Sequence, residues 1–325
     1  MRAIEITKPG GPEVLELREV PDPKAGEGEV VIRTAATALN RADIMQRQGN
    51  YPPPPGASLY PGLEVSGTIE SVGPGVSKWK VGDQVCALLG GGGYAEKVNV
   101  PEGQVFPIPK GVSLRDAAAI PEVASTVWST VFMTTHLQPG ESLLIHGGGS
   151  GIGTFAIQLA KAKGAKVFVT AGSDEKLKKC LELGADVAIN YKTEDFVARV
   201  KEETGGKGVD VILDVIGAPY LNKNLEALAL DGRIFIIGLQ GGANGEINLG
   251  LLMAKRATIA AGGLRSRPTK DKAAIVQEVV KNVWPEIEAG KVKVIIEDVL
   301  PLEKADDAHR VLERGTHFGK VILTT

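Results

Sequence analysis

Cysteine is nearly absent from this chain: there are two in 325 residues, Cys86 and Cys180. That is too few for a disulfide framework. Histidine is scarce too, with four residues, His136, His146, His309 and His317. These six residues give no plausible ligand set, so no metal is expected, zinc included. No apolar stretch approaches the roughly 18 residues that span a bilayer. Neither charge dominates: 37 Lys and Arg against 39 Asp and Glu leave a formal net charge of −2. Nothing in that balance favours nucleic acid or an anionic membrane as a partner. The N-terminus, Met1-Arg2-Ala3-Ile4-Glu5, has no long apolar core and carries an early acid. Neither a signal peptide nor a transit peptide is indicated, and a cytoplasmic protein of two domains is expected.

Glycine, by contrast, is plentiful, with 41 residues, and five of them fall within Gly147-Gly148-Gly149-Ser150-Gly151-Ile152-Gly153. The apolar run Leu143-Leu144-Ile145-His146 precedes them, and a helical pattern carrying Phe155, Ile157, Leu159 and Ala160 follows, up to Lys163-Gly164. Strand, glycine turn and helix in that order build a phosphate cradle. The turn lets the backbone approach a diphosphate, and the first-turn N–H groups of the helix face the anion. The spacing departs from G-x-G-x-x-G, because Ser150 stands where counting in threes from Gly147 to Gly153 calls for glycine. His146, at the strand end, reads as a locally packed or hydrogen-bonded side chain.

Further strands follow at Lys166–Ala171, Val187–Asn190, Val209–Asp214, Gly232–Gly238 and Ala257–Ala261, alternating with helices at 175–183, 196–203 and 221–230. Short apolar, β-branched runs alternating with helical patterns predict a parallel sheet, doubly wound. Residues 1 to about 120 differ. Alternating runs such as Glu29–Thr34, Val65–Gly73 and Gly82–Leu88, separated by turns, predict an all-β body, a small barrel. Residues 114 to 136 read as helix broken at Pro121, and Lys272 to Glu288 as an amphipathic helix. A β tail at 292–296 and 319–323, with a helix at 304–313 between, should rejoin the first body. The expected domains are therefore 1–122 with 292–325, and an inserted 123–291, with ligand in the cleft between them. Four prolines, 52–55, make a stiff loop that can hold Tyr51 and Tyr60 at a cleft edge, or simply an ordinary surface loop with one packed tyrosine.

The second strand of the sheet runs out as Thr170-Ala171-Gly172-Ser173, with no acid at its end for a ribose 2′-hydroxyl. Ser173 and Lys176 suit a 2′-phosphate instead, which points to NADPH rather than NADH; as a helix cap and a solvated charge they need no ligand.

The order of barrel, inserted nucleotide domain and returning tail resembles the medium-chain dehydrogenase/reductases. Asn40-Arg41-Ala42-Asp43, Tyr51 to Gly56, Pro61 to Gly67, Ala118 to Glu122 and Leu264-Arg265-Ser266-Arg267 are similar to their zinc-free quinone oxidoreductase (zeta-crystallin) branch. The resemblance implies an α/β protein with a GroES-like β-barrel and an inserted Rossmann domain, a homodimer that reduces small-molecule quinones with NADPH. Reduction of enone C=C bonds, or cofactor binding with little turnover, stays open. Zinc-containing relatives have Gly-His-Glu where this chain has Gly62-Leu63-Glu64. The resemblance places Asn40 and Thr126 near the nicotinamide, and Gly238, Leu239 and Leu264 over the cofactor. It sets Gly149, Ser150, Gly151 and Ile152 at the diphosphate, and Gly172, Ser173, Lys176 and Tyr191 at the adenosine end. Tyr51 is the candidate for touching substrate, with Asn40 beside it as catalytic.

Overall fold

The computed structural model describes all residues from Met1 to Thr325, which divide into two compact units. The first comprises Met1–Ser125, Leu264–Glu288 and Val294–Thr325, and the second Thr126–Gly263 and Ala289–Lys293.

The first unit is built on the long strand Glu29–Ala38, which pairs antiparallel with Glu64–Val72 and Lys97–Pro101. Its inward positions, Val30 and Ile32, join Val65, Ile69, Val85, Val98 and Val100 in a buried cluster, as period-two alternation requires. The tail does rejoin this body: Lys320–Thr324 lies antiparallel against Glu29–Ala38, pairing Ile322 with Ala38. Its companion strand is Ile296–Pro301 rather than 292–296. The placement follows the backbone: Lys320 pairs with Ile296, after which a bulge lets the strand run on to Pro301. The helix Thr269–Asn282 and the short helix Trp284–Glu288 also belong to this unit. Trp284 stacks on Phe106 at 4.9 Å, and its Nε1 donates to the Pro107 carbonyl at 2.9 Å.

The second unit has six parallel strands: β1 (Ser142–His146), β2 (Lys166–Ala171), β3 (Val187–Asn190), β4 (Val209–Asp214), β5 (Leu228–Ile236) and β6 (Thr258–Ala261). Their order in the sheet is β3-β2-β1-β4-β5-β6. The direction of winding reverses between β1 and β4, where ligands bind in such sheets. The helices are α1 (Gly151–Ala162), α2 (Asp174–Glu182), α3 (Phe196–Glu203), α4 (Leu221–Ala227) and α5 (Leu249–Lys255). The helix expected to run to residue 230 stops at Ala227, and Leu228 already starts β5. The 114–136 stretch is likewise not one helix. A 3-10 turn (Asp116–Ala119) leads into an α-helix starting at Pro121, then a π-helix over Trp128–Thr134. Hydroxyls of Ser129, Thr130, Thr134 and Thr135 bond back to carbonyls of earlier turns. Such side-chain competition bends and widens a helix.

Candidate functional site: a glycine cradle and a tyrosine loop

Gly153 is required by packing. A Cβ there would sit 2.4 Å from the Gly147 oxygen and 2.6 Å from the Gly148 oxygen. Helix α1 therefore meets the turn backbone to backbone. Ser150 caps it: its Oγ accepts from the Gly153 N–H at 3.0 Å and donates to the Gly147 carbonyl at 2.8 Å. The serine thus closes the turn that the motif's second glycine would otherwise occupy. The N–H groups of Gly149, Gly151 and Ile152 find no acceptor within the chain. Three free donors at the positive end of a twelve-residue helix fit a diphosphate.

At the end of β2, a Cβ on Gly172 would lie 2.6 Å from the Tyr191 hydroxyl and 3.2 Å from Lys192 Cε. Tyr191 and Lys192 therefore crowd over Gly172. Ser173 caps α2 by accepting from the Lys176 N–H at 3.4 Å, so the cap reading of Ser173 holds. Asp174 is turned to another task, accepting from Asn190 Nδ2 at 2.8 Å. A serine, a tyrosine and a lysine thus stand at the end of β2, and Lys176 lies on the first turn of α2.

Behind these turns lies a buried network. His146 Nε2 donates to Asn224 Oδ1 at 2.8 Å, and its Nδ1 accepts from the Thr170 hydroxyl at 3.0 Å. Asn224 Nδ2 donates in turn to Asp214, which also accepts from the Ile216 and Gly217 N–H groups. The ends of β1, β2 and β4 are thereby tied together. Burial pushes the His146 pKa down to about 4.

Within the first unit, Asn40 starts the helix Arg41–Arg47. Its amide is nearly fully used. Nδ2 donates to Glu64 at 3.0 Å and to the Ala38 carbonyl at 3.3 Å, while Oδ1 accepts from Lys320 Nζ at 2.7 Å. Asn40 therefore has no N–H left to give and one lone pair with which to accept. Lys320 Nζ also reaches Glu64 at 2.7 Å and the Leu39 carbonyl at 2.8 Å; Glu64 is fully buried and Lys320 4% exposed. The second Glu64 oxygen accepts from the Glu122 N–H.

A second chain runs from Asp43. Its carboxylate accepts from the Asn40 and Gly62 N–H groups and from the Tyr94 hydroxyl; Tyr94 meets His309 Nε2 at 3.1 Å, and His309 Nδ1 meets Arg47 at 3.2 Å. Arg47 is salt-bridged to Glu313. Because Arg47 only donates, Nδ1 accepts and the ring is neutral. Burial, then the Arg47 charge, lowers the His309 pKa to about 3, and burial raises that of Asp43 to about 6.

These shifts set a pH dependence. His146 and His309 protonate near pH 6.5 when unfolded but resist when folded, so each costs stability as pH falls below that value. At pH 5 the cost is about 2 kcal/mol each, while Asp43 has the opposite sign and gives back about 1.4 kcal/mol between pH 7 and 5. The thermal midpoint should fall between pH 7 and pH 5; a rise would contradict these assignments.

Tyr51 begins the proline loop, half-buried. The Arg265 guanidinium lies 5.3 Å from the centre of its ring, and Nη1 donates to the Tyr51 carbonyl at 3.1 Å. Arg265 Nη2 donates to Gln46 Oε1 at 2.6 Å and Nε to the Gly90 carbonyl at 2.8 Å. Burial raises the Tyr51 pKa against the pull of Arg265, so the phenol stays protonated. Its hydroxyl makes no hydrogen bond within the chain, which leaves a positioned donor.

The first unit carries the match to the alcohol dehydrogenase GroES-like domain, over residues 26–110, and residues 151–281 match the zinc-binding dehydrogenase domain. The rat quinone oxidoreductase is 36% identical over 99% of this chain and 97% of its own length. The chain belongs to the quinone oxidoreductase family of the medium-chain dehydrogenase/reductases. It is an oxidoreductase of that family. The Escherichia coli quinone oxidoreductase, solved in complex with NADPH, superposes with a TM-score of 0.89 at 32% identity, with both chains fully covered. A solved NAD-dependent alcohol dehydrogenase superposes with a TM-score of 0.88 at 36% identity, again with both fully covered. No three His, Cys, Asp or Glu side chains group as metal ligands would. Glu64 of the Gly62-Leu63-Glu64 segment is committed to Lys320.

The expected site residues fall in both units. Asn40, Tyr51 and Leu264 lie in the first, and Leu264 is 8% exposed. Thr126, Gly149 to Ile152, Gly172, Ser173, Lys176, Tyr191, Gly238 and Leu239 lie in the second. Gly238 lies against the Val215 backbone and Leu239 against Gly217, which joins the turns after β4 and β5. Thr126 is buried, its carbonyl taking the hydroxyls of Ser129 and Thr130. Sequence reasoning gave no role to Lys192, Lys320, Arg265 or the Asp43 chain. Lys192 left a signal as a second cation two residues after β3, Asp43 and Arg265 stand within the Asn40–Asp43 and Leu264–Arg267 segments that carry the resemblance, and Lys320 left none.

Proposed function

We propose that this protein transfers reducing equivalents from NADPH to quinones, as the names of its quinone oxidoreductase relatives suggest. The observation that carries the cofactor half is the end of β2. Ser173, Tyr191 and Lys192 stand at Gly172, Lys176 lies on the first turn of α2, and no acid ends the strand to take a 2′-hydroxyl. Lysine charges and a serine hydroxyl favour a 2′-phosphate. The N–H groups of Gly149, Gly151 and Ile152 bind the diphosphate, and Ser150 fixes their turn. Gly238, Leu239 and Leu264 supply apolar and backbone surface to the cofactor, with Thr126 beside the nicotinamide. Asn40 accepts from the nicotinamide amide, the one hydrogen-bonding role left to it. Bound NADPH would supply the hydride.

On the substrate side, Tyr51 holds the acceptor by donating its phenol proton in a hydrogen bond to a quinone oxygen. Quinones are electron-poor, so orientation matters more than a dedicated acid. Tyr51→Phe should lower kcat/KM for 9,10-phenanthrenequinone by roughly ten-fold, the worth of one hydrogen bond to a group gaining charge. An unchanged kcat/KM would remove Tyr51 from the site.

We also assign a homodimer and a cytoplasmic setting. Edge strand β6 has a free side, and α5 beside it buries none of its residues, with Leu249 61% and Met253 78% exposed. A single-chain mass in solution would refute the dimer. Cys86 and Cys180 are both buried and unpaired, as suits a reducing compartment; a disulfide-forming export route in vivo would refute it.

A further inference from the structure

Two cations lie together behind Tyr51, and neither forms an ion pair. Arg265 is 3% exposed, and each of its three bonds goes to a neutral oxygen, of Gly90, Tyr51 or Gln46. Lys272 is 7% exposed, its ammonium keeps a small contact with solvent, and it makes no hydrogen bond or ion pair within the chain. Its ammonium lies at Gly90, 3.9 Å from where a Cβ would be, and Ala57 of the proline loop is the other neighbour there. Glycines 90 to 93 leave this wall without side chains.

Three features make this cluster costly as it stands. A buried charge without a partner is unfavourable. The neighbouring guanidinium adds repulsion. Lys272 also occupies the first turn of the helix Thr269–Asn282, the positive end of its dipole. Asp43, the acid that acts on Arg265, is committed to Asn40, Gly62 and Tyr94. Asp271 beside Lys272 is exposed and forms no ion pair. An anion supplied from outside would be attracted by both cations and by the helix dipole, and would offset all three costs at once.

We propose that Lys272 and Arg265 form an anion-binding subsite, beside Tyr51, for a carboxylate carried by the acceptor substrate. The inference rests on the reading of Tyr51 as the acceptor's contact. The acceptor class is then a quinone or related electrophile bearing an acidic substituent. Lys272 gives the point charge and Arg265 fixes the wall.

The test compares wild type, Lys272→Met and Lys272→Arg. Binding of phenanthrene-2-carboxylate and of its neutral 2-carboxamide is followed by thermal shift, which needs no turnover. Wild type should bind the carboxylate about ten-fold or more tighter than the amide, the size of a charge-assisted hydrogen bond. Lys272→Met should abolish that preference and Lys272→Arg retain most of it. A melting midpoint of Lys272→Met at or above wild type certifies its fold. Equal binding of acid and amide by wild type, or a preference that survives in Lys272→Met, overturns the proposal. In parallel, the kcat/KM ratio of 9,10-phenanthrenequinone-2-carboxylate to its parent should fall about ten-fold in Lys272→Met. Lys272-dependent binding without turnover of either quinone would leave the subsite standing and remove the quinone-reductase reading.

Discussion

Lys320→Met is expected to destabilise the protein by about 3–5 kcal/mol, the cost of breaking one side of a buried ion pair. Glu64 would lose its ammonium partner at a site with no solvent contact. The Leu39 carbonyl and Asn40 Oδ1 would lose their donor as well. The thermal midpoint should drop by roughly 6–20 °C, scaling from about 2–4 °C per kcal/mol. Adding Glu64→Gln removes the stranded charge and should recover more than half of the loss, so the double variant reports the coupling directly. A single variant within about 1 kcal/mol of wild type would mean that the pair contributes no more than an exposed one. The same substitution frees the Asn40 side chain. Activity should therefore fall even in protein that remains folded at the assay temperature.

The second large effect concerns cofactor choice. Lys176→Ala combined with Lys192→Ala should cut the preference for NADPH over NADH by about a hundred-fold, because two charge-assisted contacts to one phosphate are lost. The loss belongs in KM for NADPH, with KM for NADH nearly unmoved. Parallel changes for both cofactors would show that these lysines support the turn rather than read the 2′-position. Tyr191 remains over Gly172 in that variant and limits the loss.

Much of this arrangement was legible in the chain. The glycine turn and its strands announced themselves because parallel strands are buried on both faces and read as unbroken apolar runs. The departure at Ser150 made sense only with coordinates, as a helix cap whose hydroxyl also closes the turn. Boundaries failed where side chains overrode pattern, as in the hydroxyl-rich segment that became a π-helix. The assignment of 264–288 to the first unit depends on a Trp284–Phe106 stack between distant positions, which no local period encodes. The ion pair was hidden for the same reason: Glu64 and Lys320 are 256 residues apart, and neither position signals the other. Asn40 carried a catalytic expectation from resemblance, yet its amide hydrogens are already spent.

The most direct test of the central claim is the initial rate of NADPH oxidation with 9,10-phenanthrenequinone, run beside NADH as donor and a panel of α,β-unsaturated ketones as acceptors. The account predicts turnover of the quinone with NADPH, a kcat/KM for NADPH about a hundred-fold above that for NADH, and slower reduction of the enones. Equal use of NADH, faster enone reduction, or bound NADPH that no acceptor oxidises would contradict it.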